Sequence, residues 1–244
     1  MGVTGSGKSL LRLESVRREF GDVVALAECD LTLDAGQVTV VVGPNGAGKT
    51  TLLHVMAGLV EPTHGTVWVG ELDASTARGR RALRQSVAHA GDLAVLYPEL
   101  TVQDHLELVA VAYGLPDARA RVEVLLDAFG LDPRRAFLPH ELSAGMRQKL
   151  QLAAAFVRPS RVLLLDEPTR ALDRTSRAAL WGLVADAREQ GCAVVVVTHD
   201  AMPASVADRA LVVEDGVVVR VGSAQLALDH IQGDANAPGA AIES

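Results

Sequence analysis

Aromatic residues make up only 3% of this 244-residue chain, too few for the stacking platforms that hold single-stranded nucleic acid. Basic residues are also in deficit. The 23 Lys and Arg stand against 30 Asp and Glu, a formal charge of −7. A chain that binds DNA or RNA displaces counterions from phosphates with an excess of basic groups, so nucleic acid is not the expected partner. Cysteine occurs only at Cys29 and Cys192, too far apart for a metal-ligand spacing. Cys192 opens the apolar run 192–197 and reads as a buried thiol in a strand; nothing calls for an oxidising compartment. Apolar runs reach about six residues, as at 152–157, whereas a helix needs about 20 to cross a bilayer. The N-terminus has no apolar stretch of the signal-peptide kind. The chain is therefore expected to be soluble and cytoplasmic, with any membrane role coming through a partner.

What is present is a globular composition. Apolar residues make up 49% and charged residues 22%, enough apolar surface to offset the entropy of ordering. The length fits one large domain, or a core with a subdomain. Short β-type runs alternate with helical patterns, which predicts an α/β fold with a parallel sheet. Segments 11–19 and 27–33 read as strands of an antiparallel edge sheet, and 66–69 as a short strand. Segments 37–42, 161–165 and 192–197 read as strands dominated by Val and Leu, as in strands buried on both faces. Segments 209–213 and 217–221 read as a hairpin across Glu214-Asp215-Gly216. Helices are expected at 49–57, stopped by Gly58, at 101–113, opened by Thr101 with Asp104 three residues on, and at 117–129, 143–157 and 175–189. The stretch 87–142 is mostly helical and reads as an inserted subdomain. The Gly/Ala/Pro/Asn-rich tail 233–244 is expected to fray.

The pattern G-x-x-x-x-G-K-[ST] occurs twice: Gly2-Val3-Thr4-Gly5-Ser6-Gly7-Lys8-Ser9 and Gly43-Pro44-Asn45-Gly46-Ala47-Gly48-Lys49-Thr50. The motif cradles phosphate only between a strand and a helix, where backbone N–H groups and the helix dipole point at the anion. No strand precedes the first match and a strand-like segment follows it, so it reads as a flexible N-terminal arm. The second has an apolar strand before it and a helix after it. Its glycines allow the turn and close backbone approach, Lys49 neutralises phosphate charge, and Thr50 offers a hydroxyl to Mg²⁺.

Magnesium needs a second anchor and hydrolysis needs a base. Val162-Leu163-Leu164-Leu165-Asp166-Glu167-Pro168 delivers two acids to the C-terminal end of an apolar strand, where ligands sit in open α/β sheets. Asp166 is expected to hold the metal and Glu167 to polarise the attacking water. His199 follows the strand ending at Val197, at the same sheet edge, and is expected to contact the terminal phosphate or that water.

Between these motifs stands Leu142-Ser143-Ala144-Gly145-Met146. In this order, the Gly-rich loop, helical insert, Ser143 segment, Asp-Glu strand, Leu172-Asp173 and His199 resemble the ATP-binding subunit of ABC transporters. The resemblance runs from about 11 to 222. It implies a P-loop NTPase core with a mainly parallel sheet, an N-terminal antiparallel β subdomain and an inserted helical subdomain. The ATPase domain would span 11–232, with the insert at about 87–142, the signature helix at 143–157, an arm at 1–10 and a disordered tail at 233–244. It also implies a head-to-tail dimer, of identical or different subunits, with two ATP molecules between them. Each ATP would sit on Gly43, Pro44, Asn45, Gly46, Ala47, Gly48, Lys49, Thr50 and Thr51 of one subunit and meet Ser143 and Gly145 of the other. From the residue alone Ser143 is a plain helix cap, whose hydroxyl and free N–H groups suit an anion; the resemblance assigns the larger role. It likewise sets Phe20, otherwise a core phenylalanine, against adenine, and Asp173 in the loop that crosses the dimer interface.

Three features depart from the family pattern: the signature, the residue before the Leu-Asp loop, and a missing glutamine. Ala144 and Met146 stand where Gly and Gln are commoner, and Arg170 where a small residue is usual. The expected glutamine between loop and insert is missing. Asp92 fills its slot, as a candidate Mg²⁺ ligand or as a solvated loop acid. The resemblance implies an ATPase that drives a separate membrane permease from the inner face of the membrane. Segments 145–150 and 172–177, with Leu180-Trp181, look most like bacterial ABC-2-type exporters, and the chain stops soon after its last hairpin, without the extra domain of many importer ATPases. Import is the alternative, as is a non-transport ATPase of translation or DNA repair; such proteins carry two modules or a long coiled coil, and no sustained heptads occur here.

Overall fold

The computed structural model describes residues 9–91, 96–199 and 206–235. Two sheets organise them. The first has four antiparallel strands, β1 (Ser9–Phe20), β2 (Val23–Asp34), β4 (His64–Val69) and β5 (Leu72–Asp73), in the order β2-β1-β4-β5. The second has six: β3 (Val38–Val42), β6 (Val87–Ala90), β7 (Val162–Asp166), β8 (Ala193–Val197), β9 (Arg209–Glu214) and β10 (Val217–Ser223). Their order is β10-β9-β3-β8-β7-β6, parallel throughout except for the β9–β10 hairpin at the edge.

Helices α1 (Lys49–Ala57), α2 (Ala77–Ser86), α3 (Val102–Ala112), α4 (Ala118–Ala128), α5 (Ala144–Val157), α6 (Arg174–Glu189) and α7 (Ala224–Ala235) accompany the sheets, with short 3-10 turns at Asp132–Arg134 and Pro139–Glu141. The central strands β3, β7 and β8 are apolar but for Thr39 and the terminal Asp166, because both faces of the sheet are covered. Val40, Leu163, Leu165 and Val194 face a core shared with α3 to α6, whereas Val41, Leu164 and Val195 face a second core shared with α1 and the antiparallel sheet. Each such Val or Leu contributes about 1.5–3 kcal/mol by leaving water. The strand ends, and the loops beyond them, are thereby fixed.

The structure moves several expected boundaries. Val87–Ala90 is not part of the helical insert. It adds to the sheet beside β7, with Val87 opposite Val162 and Ala90 opposite Leu165, and the first helix of the insert starts at Val102. A four-residue strand with one histidine carries little pattern of its own; pairing with an already buried neighbour defines it. Ser9 and Leu10, expected in the arm, belong to β1. Helix α7 runs to Ala235, past the expected start of the tail; residues 1–8 and 236–244 lie outside the described residues. The helix opened by Thr101 is present with its reciprocal cap: Thr101 Oγ1 accepts from Asp104 N–H at 3.1 Å, and an Asp104 carboxylate oxygen accepts from Thr101 N–H at 3.2 Å.

Candidate functional site

The loop after β3 turns sharply because its glycines adopt backbone angles that side chains resist. Gly43 has φ 146°, and a β-carbon there would come within 2.0 Å of Val213 O. Gly48 has φ 97°, and its β-carbon would come within 2.3 Å of Ala25 O. The loop is braced from behind by the β9–β10 turn, where Gly216 N–H donates to Ala47 O at 2.9 Å. Asp215 (φ 46°) and Gly216 (φ 79°) form that turn. Ahead of the loop, α1 begins with no side-chain cap and no acid in its first turn. Its free N–H groups and dipole therefore point at the loop, which makes a ready anion site.

Lys49 lies almost buried beneath this loop. Its ammonium donates to Gly43 O at 2.6 Å and to Pro44 O at 2.8 Å. Burial lowers its pKa, against the pull of Glu167 and Asp166. A cavity of about 240 Å³ opens above, lined by Asn45, Gly46, Ala47, Gly48, Thr50 and Thr51 on one side and by Asp166, Glu167 and His199 on the other. Sheet topology brings these segments together: β3, β8 and β7 are parallel neighbours, so their C-terminal ends open onto one edge.

Across that edge, Thr50 Oγ1 donates to an Asp166 carboxylate oxygen at 2.7 Å. Glu167 lies one residue further, 3.4 Å from His199 Nε2. Its carboxyl is held above the usual range, chiefly by burial and opposed by His199. A hydroxyl and a carboxylate that already meet are hard oxygen donors of the kind Mg²⁺ prefers. Thr50 and Asp166 thus fit that ion, and the residues of the 43–51 loop fit a phosphate chain. A carboxylate at Glu167 with His199 3.4 Å away is the kind of group that can accept a proton from water, so the edge has the chemistry for hydrolysis of a phosphoanhydride.

The remaining expected residues sit apart from this edge. Ser143 caps α5, its Oγ accepting from Met146 N–H at 3.2 Å. A β-carbon on Gly145 would lie 3.0 Å from Ala171 O. Asp173 caps α6 by accepting from Ser176 N–H at 2.9 Å and pairs with Lys149. Hydrogen bonds from Lys149 and Ser176 hold its carboxyl far below the ordinary range. Ser143, Gly145 and Asp173 do not line the phosphate-loop cavity. Phe20 is not a core residue. It is 47% exposed at the end of β1, with the Arg18 guanidinium 4.2 Å from its ring centroid. Asp92 lies outside the described residues, as do positions 2–8 of the first glycine-rich match, Lys8 among them; the last residue of that match, Ser9, opens strand β1, where a phosphate loop needs a helix.

The family model described as "ABC transporter" matches residues 26–170, more than half of the chain. The chain belongs to this family. It is an ABC-type ATP-binding cassette and ATPase, with an antiparallel N-terminal sheet beside a mostly parallel core. The macrolide export ATP-binding/permease protein MacB 1 of Aeromonas hydrophila is 38% identical over 86% of this chain but only 34% of its own length. The chain thus spans about a third of that relative. The lipoprotein-releasing system ATP-binding protein LolD of Shewanella denitrificans is 36% identical, over 86% of this chain and 94% of its own. The aliphatic sulfonates import ATP-binding protein SsuB of Rhodopseudomonas palustris is 38% identical, over 84% of this chain and 71% of its own. Among solved structures, an ATP-binding subunit of an ABC transporter superposes with TM-score 0.81 at 29% identity, covering 95% of both chains. A dimeric ATP-binding cassette in a post-hydrolysis state, bound to ADP and Pi, superposes with TM-score 0.78 at 26% identity, covering 88% of this chain and 99% of that one.

One part of this cassette's site was not visible in the sequence motifs. A second cavity of about 540 Å³ joins Thr50, Asp166 and Glu167 to Ala144 and Gln148 on α5. Gln148 Nε2 donates to Glu167 O at 3.0 Å. Gln148 lies one helical turn beyond Ala144, and that spacing on the helix after Ser143 is the signal that marks it.

Proposed function

We propose that this chain is the motor subunit of a transporter that exports its substrate through a separate membrane permease. ATP binding closes two cassettes head to tail; hydrolysis reopens them. The two states move a coupled permease only because they bind ATP differently. The observation that carries this reading is the meeting of Thr50, Asp166, Glu167 and His199 at one sheet edge above the 43–51 loop.

In this reading Gly43 to Thr51 and Lys49 hold the phosphates, Thr50 and Asp166 hold Mg²⁺, and Glu167 is the base, with His199 beside it. Phe20, exposed next to the strand pair that borders the loop, stacks on adenine. Ser143, Gly145 and Asp173 act on the nucleotide of the partner cassette, which suits their place away from the cassette's own loop. Asp92 takes the slot of the family's glutamine and adds a carboxylate to the metal site. The partner cassette is a second copy or a related subunit, and the pair sits on the inner face of the membrane, held by the permease. No helix among the described residues is long and apolar enough to cross a membrane.

The MacB and LolD relatives, named for export and for lipoprotein release, support the outward direction. Import is the second reading, favoured by the 38% identity to SsuB. Capture of the tagged chain from its own cell membranes tests the proposal. A multi-span membrane protein is expected to co-purify and to stimulate ATP hydrolysis; recovery of the chain without one contradicts the motor reading.

A further inference from the structure

Glu167 holds a backbone conformation that its side chain disfavours. Its φ is 44°, in the left-handed region where a residue other than glycine loses roughly 1–2 kcal/mol. Such a conformation persists when its surroundings over-determine it. Here both sides of the residue are tied. Its N–H donates to Val197 O at 2.9 Å, which fastens it to β8 two residues before His199. Its carbonyl accepts from Gln148 Nε2 at 3.0 Å, which fastens it to α5. The same carbonyl accepts from Arg170 N–H at 3.3 Å, a longer bond within its own turn. The Gln148 bond joins this carbonyl to another element.

Two further contacts link the same stretch of α5 to the same loop. The Lys149 ammonium pairs with Asp173, and Gly145 packs so closely on Ala171 O that a β-carbon would lie at 3.0 Å. The start of α5 therefore grips the loop that carries Glu167. Ser143 and Gln148 are five residues apart on one continuous helix, about 7.5 Å along its axis at 1.5 Å per residue.

We propose that Gln148 is the positioning residue for hydrolysis. Its amide holds the Glu167 main chain in the left-handed conformation and so aims the carboxylate; a displacement of the Ser143 end of α5 reaches the Glu167 carbonyl itself through this bond. The proposal rests on the reading of Glu167 as the base. Without the amide, the carbonyl turns to water in the cavity. The backbone then relaxes toward its preferred regions, and the Cα–Cβ bond swings the carboxylate off its line.

The test compares Gln148→Ala with Gln148→Lys, which keeps an N–H donor of similar reach, and with Gln148→Glu, which has the length but only accepts. Gln148→Ala and Gln148→Glu are expected to lower kcat by about tenfold to a hundredfold, the scale of a misplacement near 1 Å, with KM for ATP unchanged. Gln148→Lys is expected to restore most of the loss. In the nucleotide-free protein, hydrogen–deuterium exchange of the peptide containing Glu167 should rise in Gln148→Ala. In single-turnover hydrolysis, adding Gln148→Ala to Glu167→Gln should cause no further loss, because the base is already gone. The proposal is overturned if kcat is unchanged in Gln148→Ala, or if Gln148→Ala slows the Glu167→Gln protein by the factor it imposes on the parent. If Gln148→Ala does not fold, the Gln148→Glu and Gln148→Lys pair decides: equal kcat values contradict the proposal. A Glu167→Gln protein that hydrolyses at the parent rate refutes the base reading instead, which separates the two failures.

Discussion

Thr50 and Asp166, 116 residues apart in the chain, meet through a hydrogen bond of 2.7 Å from hydroxyl to carboxylate. One stands in the first turn of α1, the other at the end of β7. Both donors are oxygens, and both lie at the mouth of the phosphate loop. Asp166→Asn removes the charge and Thr50→Val the hydroxyl, each with nearly the same shape. The Mg²⁺ concentration that half-saturates hydrolysis should rise by about tenfold to a hundredfold in Asp166→Asn, and less in Thr50→Val. A Mg²⁺ titration of ATPase rate checks this; unchanged curves would place the metal elsewhere.

Lys49 tests which glycine-rich match binds nucleotide. Its ammonium already bridges two loop carbonyls and is the buried cation nearest the phosphates in this reading. Lys49→Ala should weaken ATP binding at least tenfold, in line with about 1.5–3 kcal/mol for a hydrogen bond to a charged group. Lys8→Ala should leave affinity unchanged. Nucleotide titration of the two variants is sufficient; a loss with Lys8→Ala contradicts the choice of loop.

The pH dependence of turnover follows from Glu167. Burial raises its carboxyl pKa, and His199 opposes the rise. As a base it acts only when ionised, so kcat should fall on acidification through a midpoint above the ordinary glutamate value of about 4.3. Removing the opposing group in His199→Ala should move the acid limb of the remaining activity to higher pH. The kcat profile at saturating ATP reads both. A limb that stays in the ordinary range, or moves down in His199→Ala, argues against Glu167 as the titrating base.

Gly43→Ala probes how far the loop depends on its backbone. An alanine at φ 146° meets Val213 O, and left-handed strain alone costs roughly 1–2 kcal/mol. The variant should lose at least that much stability, a drop of several degrees in Tm at about 2–4 °C per kcal/mol. ATP affinity should fall with it, since the carbonyls that hold Lys49 shift. Thermal unfolding and titration together check this; unaltered Tm and affinity would mean that the loop tolerates a side chain there.

Much of this arrangement is legible in the sequence where local chemistry and burial agree. Segment 38–42 is apolar but for Thr39 because it is buried on both faces, and the glycines after it are the ones the turn requires. Thr101 and Asp104 announce their helix by the cap they form. The hairpin around Gly216 follows from its Asp-Gly turn. Other parts are hidden because their stability comes from contacts. Helix α2 carries Arg78, Arg80, Arg81 and Arg84 and buries only Gly79 and Leu83, so no apolar period marks it; Thr76 holds its start, accepting from Gly79 N–H at 3.0 Å. β6 is a strand only by pairing with β7. The tie from Gln148 to Glu167 joins a helix to a backbone carbonyl; the spacing from Ala144 marks Gln148 as a residue of that helix face, but no residue type signals the bond itself.

In the proposed cycle Glu167 is the base of an ATPase whose closure requires binding and not cleavage. Glu167→Gln keeps the shape of the side chain and removes the base. Light scattering with ATP and Mg²⁺, alongside a hydrolysis assay, measures both halves at once. Hydrolysis should fall by at least a hundredfold, within the range of about 10²–10⁴ that a general base contributes, while ATP-bound dimers accumulate. Hydrolysis at the parent rate, or a protein that stays monomeric with ATP, would contradict the account.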